Sequence, residues 1–94
     1  MDFDWDQKKA ASNLRKHGIS FEEARAVFYD NEALLISDPD HPDETRFLLL
    51  GLDGRLRCLV VVHSYDEKTD ILRIISARKA TRAEKKTYIE ARRV

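Results

Sequence analysis

Residues 71–88, ILRIISARKATRAEKKTY, constrain this chain more than any other stretch. Ile71, Leu72, Ile74 and Ile75 are β-branched or apolar, as a buried strand requires. Thr81-Arg82-Ala83-Glu84 then fits a capping box: the Thr hydroxyl bonds the amide of Glu84 and the Glu carboxylate bonds back. A strand must therefore turn into a helix through the short, basic junction Ser76-Ala77-Arg78-Lys79-Ala80. Between residue 71 and the end stand eight Lys/Arg against two acids. Guanidinium groups beside the exposed amides of a helix start make a phosphate-binding arrangement.

The rest of the chain is charged in the opposite sense. Lys/Arg and Asp/Glu balance at 17 each, but residues 20–45 hold eight acids and one base. Two opposed patches fit a protein with one anionic and one basic partner, unless folding interleaves and cancels them. The 94 residues give room for one core, hence one domain over 1–94. The single cysteine, Cys58, lies in an apolar run and reads as a core residue, which leaves no disulfide framework and no cysteine-based metal site. The longest apolar run, 58–62, is far too short to span a membrane, and the acidic start does not resemble a signal peptide. A cytoplasmic protein is expected.

Taken in order, Asp2-Phe3-Asp4-Trp5 alternates as a short edge strand does, with acids discouraging edge pairing. Asp6 caps a helix over 7–16, which Lys16-His17-Gly18 stops. Ser20-Phe21-Glu22-Glu23 is a second capping box, opening a helix that runs to about residue 29. Four strands follow, at 33–37, 46–52, 56–65 and 71–77, joined by the acidic loop 38–44, a tight Asp53-Gly54 hairpin turn and the polar turn 66–70. A closing helix covers 81–92. The fold class is α+β: two N-terminal helices, an antiparallel meander sheet and a C-terminal helix, with the helices mainly on one face.

Several side chains suit phosphate chemistry. Arg73 interrupts an apolar strand, and Arg46 opens another that reaches toward the same face. On the functional reading, Arg46, Arg73 and Arg78 clamp phosphates while a His or Glu takes a proton from a ribose hydroxyl. On the plainer reading, Arg73 pairs with an acidic loop residue and the other charges only solubilise. The sequence alone leaves both open. His17, at a helix end, has a stabilising role available; His41 lies among acids in a loop; His63 sits in a strand on the face of Arg57, Val61 and Tyr65. No His/Asp/Glu spacing suggests a metal site, and no Gly-rich phosphate loop or serine elbow is present, so no cofactor is called for.

Three blocks carry a resemblance over nearly the whole chain, from residue 2 to about 88. Phe3-Asp4-Trp5-Asp6, then Asn13-Leu14-Arg15-Lys16-His17-Gly18-Ile19-Ser20-Phe21-Glu22-Glu23-Ala24, then Arg73-Ile74-Ile75-Ser76-Ala77-Arg78-Lys79-Ala80-Thr81 with Glu84 and Tyr88 resemble the BrnT family. The resemblance implies a bacterial type II toxin with a fold similar to RelE-type ribonucleases. It implies metal-independent RNA cleavage that inhibits translation and growth. The implied partner is a BrnA-like ribbon-helix-helix antitoxin, and operator DNA is bound only through the toxin–antitoxin complex. Carried onto this chain, the catalytic candidates are Arg46, Arg73, Arg78, His17 and Glu84, with His17 and Glu84 as the choices for general base. The RNA-binding candidates are Lys16, Lys79, Arg82 and Tyr88. Glu84 has a competing capping role, and Tyr88 a competing place against the sheet. The alternative from another class is a non-catalytic module that acts as corepressor with a DNA-binding antitoxin; a nucleic-acid-binding domain acting alone ranks third.

Overall fold

The computed structural model describes residues 1–41 and 46–92. Its elements run β1 (Asp2–Asp4), α1 (Gln7–His17), α2 (Phe21–Arg25), a 3-10 turn (Ala26–Tyr29), β2 (Leu34–Ser37), β3 (Arg46–Leu52), β4 (Cys58–Asp66), β5 (Ile71–Lys79) and α3 (Arg82–Ala91). Pro42, Asp43 and Glu44 of the acidic loop, and Arg93 of the basic end, lie outside the described residues.

Local chemistry sets the helix starts where the sequence places them. The Asp6 carboxylate accepts from the amides of Lys8 and Lys9. Both capping boxes close, Ser20 with Glu23 and Thr81 with Glu84. Gly18 ends α1 at φ 69°, the left-handed conformation that glycine adopts without penalty. The second helix is shorter than its capping box suggests, because after Arg25 the backbone tightens into the 3-10 turn.

The five strands form one sheet in the order β1-β5-β4-β3-β2. Neighbours from β2 to β5 pair antiparallel, but β1 lies parallel to β5, so the sheet is mixed rather than wholly antiparallel. Two loops also differ from expectation. The β3–β4 connection is not a two-residue turn at Asp53-Gly54. It spans residues 53–57, with Leu56 rather than a glycine at positive φ (62°). The buried Asp53 carboxylate holds it, accepting from the amides of Arg55 and Arg57 and from the Arg57 guanidinium. The β5 strand runs two residues past 77, because Leu59 and Val60 still pair with Lys79 and Arg78.

The helices do not share one face of the sheet. Ile19, Phe21, Ala24 and Val27 pack with Leu49, Leu59, Val61, Leu72, Ile74 and Ala77 on one side. Tyr88 of α3 packs with Leu50, Cys58 and Val60 on the other. Strand alternation explains the split, since odd and even positions of β3 and β4 point to opposite faces and both sets are apolar. Cys58 is buried, as its setting suggests. The faces meet at Asp30, which accepts from the Tyr88 hydroxyl at 2.6 Å and from the Leu52 amide at 2.9 Å. Gly51 makes this junction possible, since a Cβ there would stand 3.0 Å from the Asp30 Oδ2 and 3.1 Å from the Val27 Cγ1. No helix among the described residues is long and apolar enough to cross a membrane.

Candidate nucleic-acid site on the half-open face

The α1–α2 face is closed and internally satisfied. The Asn13 amide donates to the carbonyls of Ile19 and Ala77 and its oxygen accepts from the Ala77 amide, all within 3.0 Å. It thereby occupies backbone groups of β5 beyond the reach of short β1, which pairs only with residues 71–73. Arg57 bridges Asp53 at 2.6 Å and Glu23 at 2.9 Å. Hydrogen bonds from Ser20, aided by Arg57, hold the Glu23 carboxyl below its ordinary range. His63 is on this face, 4% exposed, with Phe28 and Phe47 against its ring. Burial pushes its pKa down, so it is a neutral core histidine.

The α3 face is only half covered. α3 lies over Leu50, Cys58 and Val60, while Val62, Ser64, Arg73 and Ser76 stand farther along the same face, half-buried or exposed. Register brings two expected residues together here. Arg46 pairs with Ser64, and Ser64 pairs with Arg73, so the two arginines flank one serine in a row across three neighbouring strands. Strand spacing separates their backbones by about 10 Å. Asp4 of β1 continues the row and takes Arg73 at 2.8 Å. The plainer reading of Arg73 therefore holds in part: it has an acidic partner, from the edge strand rather than a loop. Both side chains are about half exposed, and such a pair contributes only about 0–1 kcal/mol. A phosphate can displace it at little cost.

Arg78 belongs to a second cluster. It lies five residues from Arg73 along β5, but a bulge opposite Val62 and His63 keeps both on one face and leaves them four positions apart along β4 (Val60 against Ser64), roughly 13 Å at the usual strand rise, so the three arginines do not converge on one phosphate as the sequence suggests. Its Nη1 and Nη2 donate to the two Glu84 oxygens at 2.7 and 2.9 Å. The same Glu84 accepts from the Thr81 amide at 2.8 Å. These bonds, the Arg78 fork foremost, pull the Glu84 carboxyl down to about 2. Such a weakly basic carboxylate is a poor proton acceptor, and the choice of Glu84 as general base gives way to a role orienting Arg78. The fork leaves Arg78 its Nε–H and a second hydrogen on Nη2. Lys79 and Arg82 are exposed at this junction.

Tyr88 does not fit the RNA-binding role assigned to it. It is 1% exposed and its hydroxyl is spent on Asp30; burial and that bond push its pKa up to about 12. Lys16 and His17 are exposed at the end of α1, which packs on β5 from the other side of the sheet. Among the described residues no hydrogen bond or ion pair joins either to Arg78 or Glu84. His63, likewise, faces away from Arg46 and Arg73. The sequence gives no role to Ser64 and reads Asp4 only as an edge-guarding acid; the alternation of Asp-Phe-Asp against Ile-Leu-Arg is the signal that could have matched Asp4 to Arg73.

This fold and charge pattern have relatives. The family described as "Ribonuclease toxin, BrnT, of type II toxin-antitoxin system" matches over residues 5–84. The chain belongs to the BrnT family of ribonuclease toxins. The match takes in every element from α1 to β5 and ends at Glu84, so the Arg46 row and the Arg78 fork both fall inside it. Among solved structures, the crystal structure of the Brucella abortus ribonuclease toxin BrnT superposes with a TM-score of 0.69 at 23% identity, covering 87% of this chain and 99% of that one. At that identity the likeness speaks for the fold. No curated protein matches the chain. As a type II family member, the toxin has RNA as its target and an antitoxin as its partner.

Proposed function

We propose that this BrnT-family toxin is a single-domain, metal-independent endoribonuclease that binds RNA across the half-open α3 face, and that its cleavage of RNA arrests translation and growth. The observation that carries the reading is the row Arg46–Ser64–Arg73 on half-exposed sheet, with the Arg78–Glu84 fork about 13 Å farther along the sheet. Two cationic stations at that spacing suit phosphates separated by at least one intervening nucleotide of one strand, rather than one phosphate. Lys79 and Arg82 extend the second station along the start of α3.

Each role follows from position. Arg73 and Arg46 hold one phosphate, Arg73 exchanging Asp4 for it. Arg78, oriented by Glu84, stabilises the charge that develops on the cleaved phosphate, a contribution worth about 10²–10³ in rate for a well-placed donor. Lys16 and His17, at the end of α1 across the sheet from both stations, take no part in this reading, which leaves the general base unassigned. Charge stabilisation is assigned to arginine because Arg78, held by Glu84 at the start of α3, keeps N–H groups free to meet a phosphate. We assign the neutralising partner to a BrnA-like ribbon-helix-helix antitoxin, through which alone the complex reaches operator DNA.

One observation favours the non-catalytic reading as runner-up: Arg73 and Arg78 both already have carboxylate partners, as they would in a binding module. Induced expression in a bacterial host separates the two. The wild type is expected to arrest growth with loss of intact RNA, and the folded Arg73→Ala/Arg78→Ala variant to do neither. Normal growth with intact RNA at good levels of folded wild type would leave the corepressor.

A further inference from the structure

The two edges of the sheet are defended very differently. At one, β1 is three residues long, carries Asp2 and Asp4, and is tied by Arg73 and by the N-terminal amine on Asp70. This is how proteins block strand addition. At the other edge stands β2, Leu34-Leu35-Ile36-Ser37, with no charge, proline or bulge in it. Leu35 is 63% exposed and Ile36 43%.

Its backbone is presented for pairing. The Asp38 amide donates to the Arg46 carbonyl, which sets the phase of the β2–β3 ladder. Leu34 and Ile36 therefore turn their N–H and C=O groups toward β3, and Leu35 and Ser37 turn theirs outward. Each flank of the strand borders an apolar depression. On the Leu35 side, a cavity of about 430 Å³ is lined by Phe28, Phe47, Leu49 and His63. On the Ile36 side, a smaller one of about 110 Å³ is lined by Leu48, Leu50 and Val60, with Glu84 and Thr87 of α3 at its side. An added strand would drop alternate side chains into the two, which is how strand addition gains specificity.

Charge decides what is added. Exposed Glu32 and Asp40 bracket β2. A second copy pairing antiparallel about the centre of β2 would bring Glu32 of one chain beside Asp40 of the other, and like charges facing across a ladder are destabilising. A segment with basic ends is attracted instead. We infer that β2 is the docking edge for an extended segment of the antitoxin, apolar at alternate positions and flanked by Lys or Arg, which adds as a sixth strand. This rests on the toxin–antitoxin reading and supplies the surface it lacks. It also places the partner on the acidic edge, where the smaller depression reaches Glu84 of the Arg78 fork.

The test is amide hydrogen exchange on ¹⁵N-labelled toxin, alone and co-purified with its co-expressed antitoxin. In the complex, the outward amides of Leu35 and Ser37 are expected to slow by about 10²-fold or more, while those of Leu34 and Ile36, already in the ladder, change less. Leu35→Pro deletes an outward N–H and the Leu35 side chain while sparing the N–H groups that bond β3. It should weaken the complex about tenfold or more at an unchanged thermal melt. Leu35→Lys gives a second readout if the proline variant does not fold. A complex that forms without protecting Leu35 and Ser37 would overturn the inference while leaving the antitoxin reading intact. Protection that rises with the concentration of toxin alone would overturn it in favour of a second copy. Failure of any complex to form would remove the partner and the edge together, with RNA cleavage by the toxin judged separately.

Discussion

The closed face of the sheet uses its polar groups on itself, whereas the open face keeps its own within reach of solvent. Behind α1 and α2, Asn13, Asp53, Arg57 and Glu23 satisfy one another or the backbone, and His63 is held neutral by burial. In front, Arg73 and Arg78 have partners that are short in distance but partly solvated. The difference teaches where to look for function in a small charged domain. Buried ionic networks fix the fold and are costly to break, while half-exposed arginines on a bare strand contribute little to stability and remain available to a ligand.

The comparison breaks most visibly at Arg57. Replacing it with alanine leaves the Asp53 carboxylate, whose side chain is 1% exposed, without its cation, and should cost about 3 kcal/mol. Urea unfolding would show this as a lower midpoint. Asn13→Ala should follow at about 2 kcal/mol, since three backbone groups lose their only side-chain partner. Both variants, at temperatures where they stay folded, should still cleave RNA. On the open face, Arg46→Ala and Arg73→Ala should change stability by less than about 1 kcal/mol yet weaken RNA binding in a salt-dependent way, each reducing the salt slope by roughly one phosphate contact. Arginine variants that unfold as readily as Arg57→Ala would erase the distinction.

A pH-dependent effect sharpens the comparison at Glu84. Glutamine keeps the capping box but weakens the Arg78 fork, so Glu84→Gln should cost about 1 kcal/mol at neutral pH. The folded pKa lies near 2, below the ordinary value of 4.5. The carboxylate's contribution is therefore complete above about pH 4.5 and is lost as pH falls toward 2. Stability curves of wild type and variant should converge over that window and run parallel above it. Tyr88 behaves in the opposite sense: its raised pKa stabilises the fold below pH 10, and that contribution is lost as pH rises toward 12.

Much of this was legible from short-range signals. Asp6, Gly18 and the two capping boxes announce helix boundaries because their chemistry is local. The α1, β3 and α3 ranges follow from them and from alternation. What the sequence hides is register and side. Even and odd positions of β3 and β4 are equally apolar, so nothing in the pattern says that α3 crosses to the opposite face. The parallel pairing of β1 depends on a contact across about 70 residues, and with it goes the Asp4–Arg73 pair. The basic junction is legible as a charge cluster, but its division into two groups of arginines depends on strand geometry. Tyr88 is a case of the same kind: its family position suggests RNA and its helix face suggests packing, and only the tertiary bond to Asp30 decides for packing.

Direct cleavage by the purified toxin tests the central claim most simply. Labelled RNA would be incubated with wild type, Arg73→Ala, Arg78→Ala and the double variant, each shown folded by thermal melting, with chelator present throughout. The account predicts cleavage by wild type in chelator, a loss of about 10²-fold or more for Arg78→Ala, and none detectable for the double variant. Undiminished cleavage by a folded double variant would contradict it and move the active surface off the α3 face.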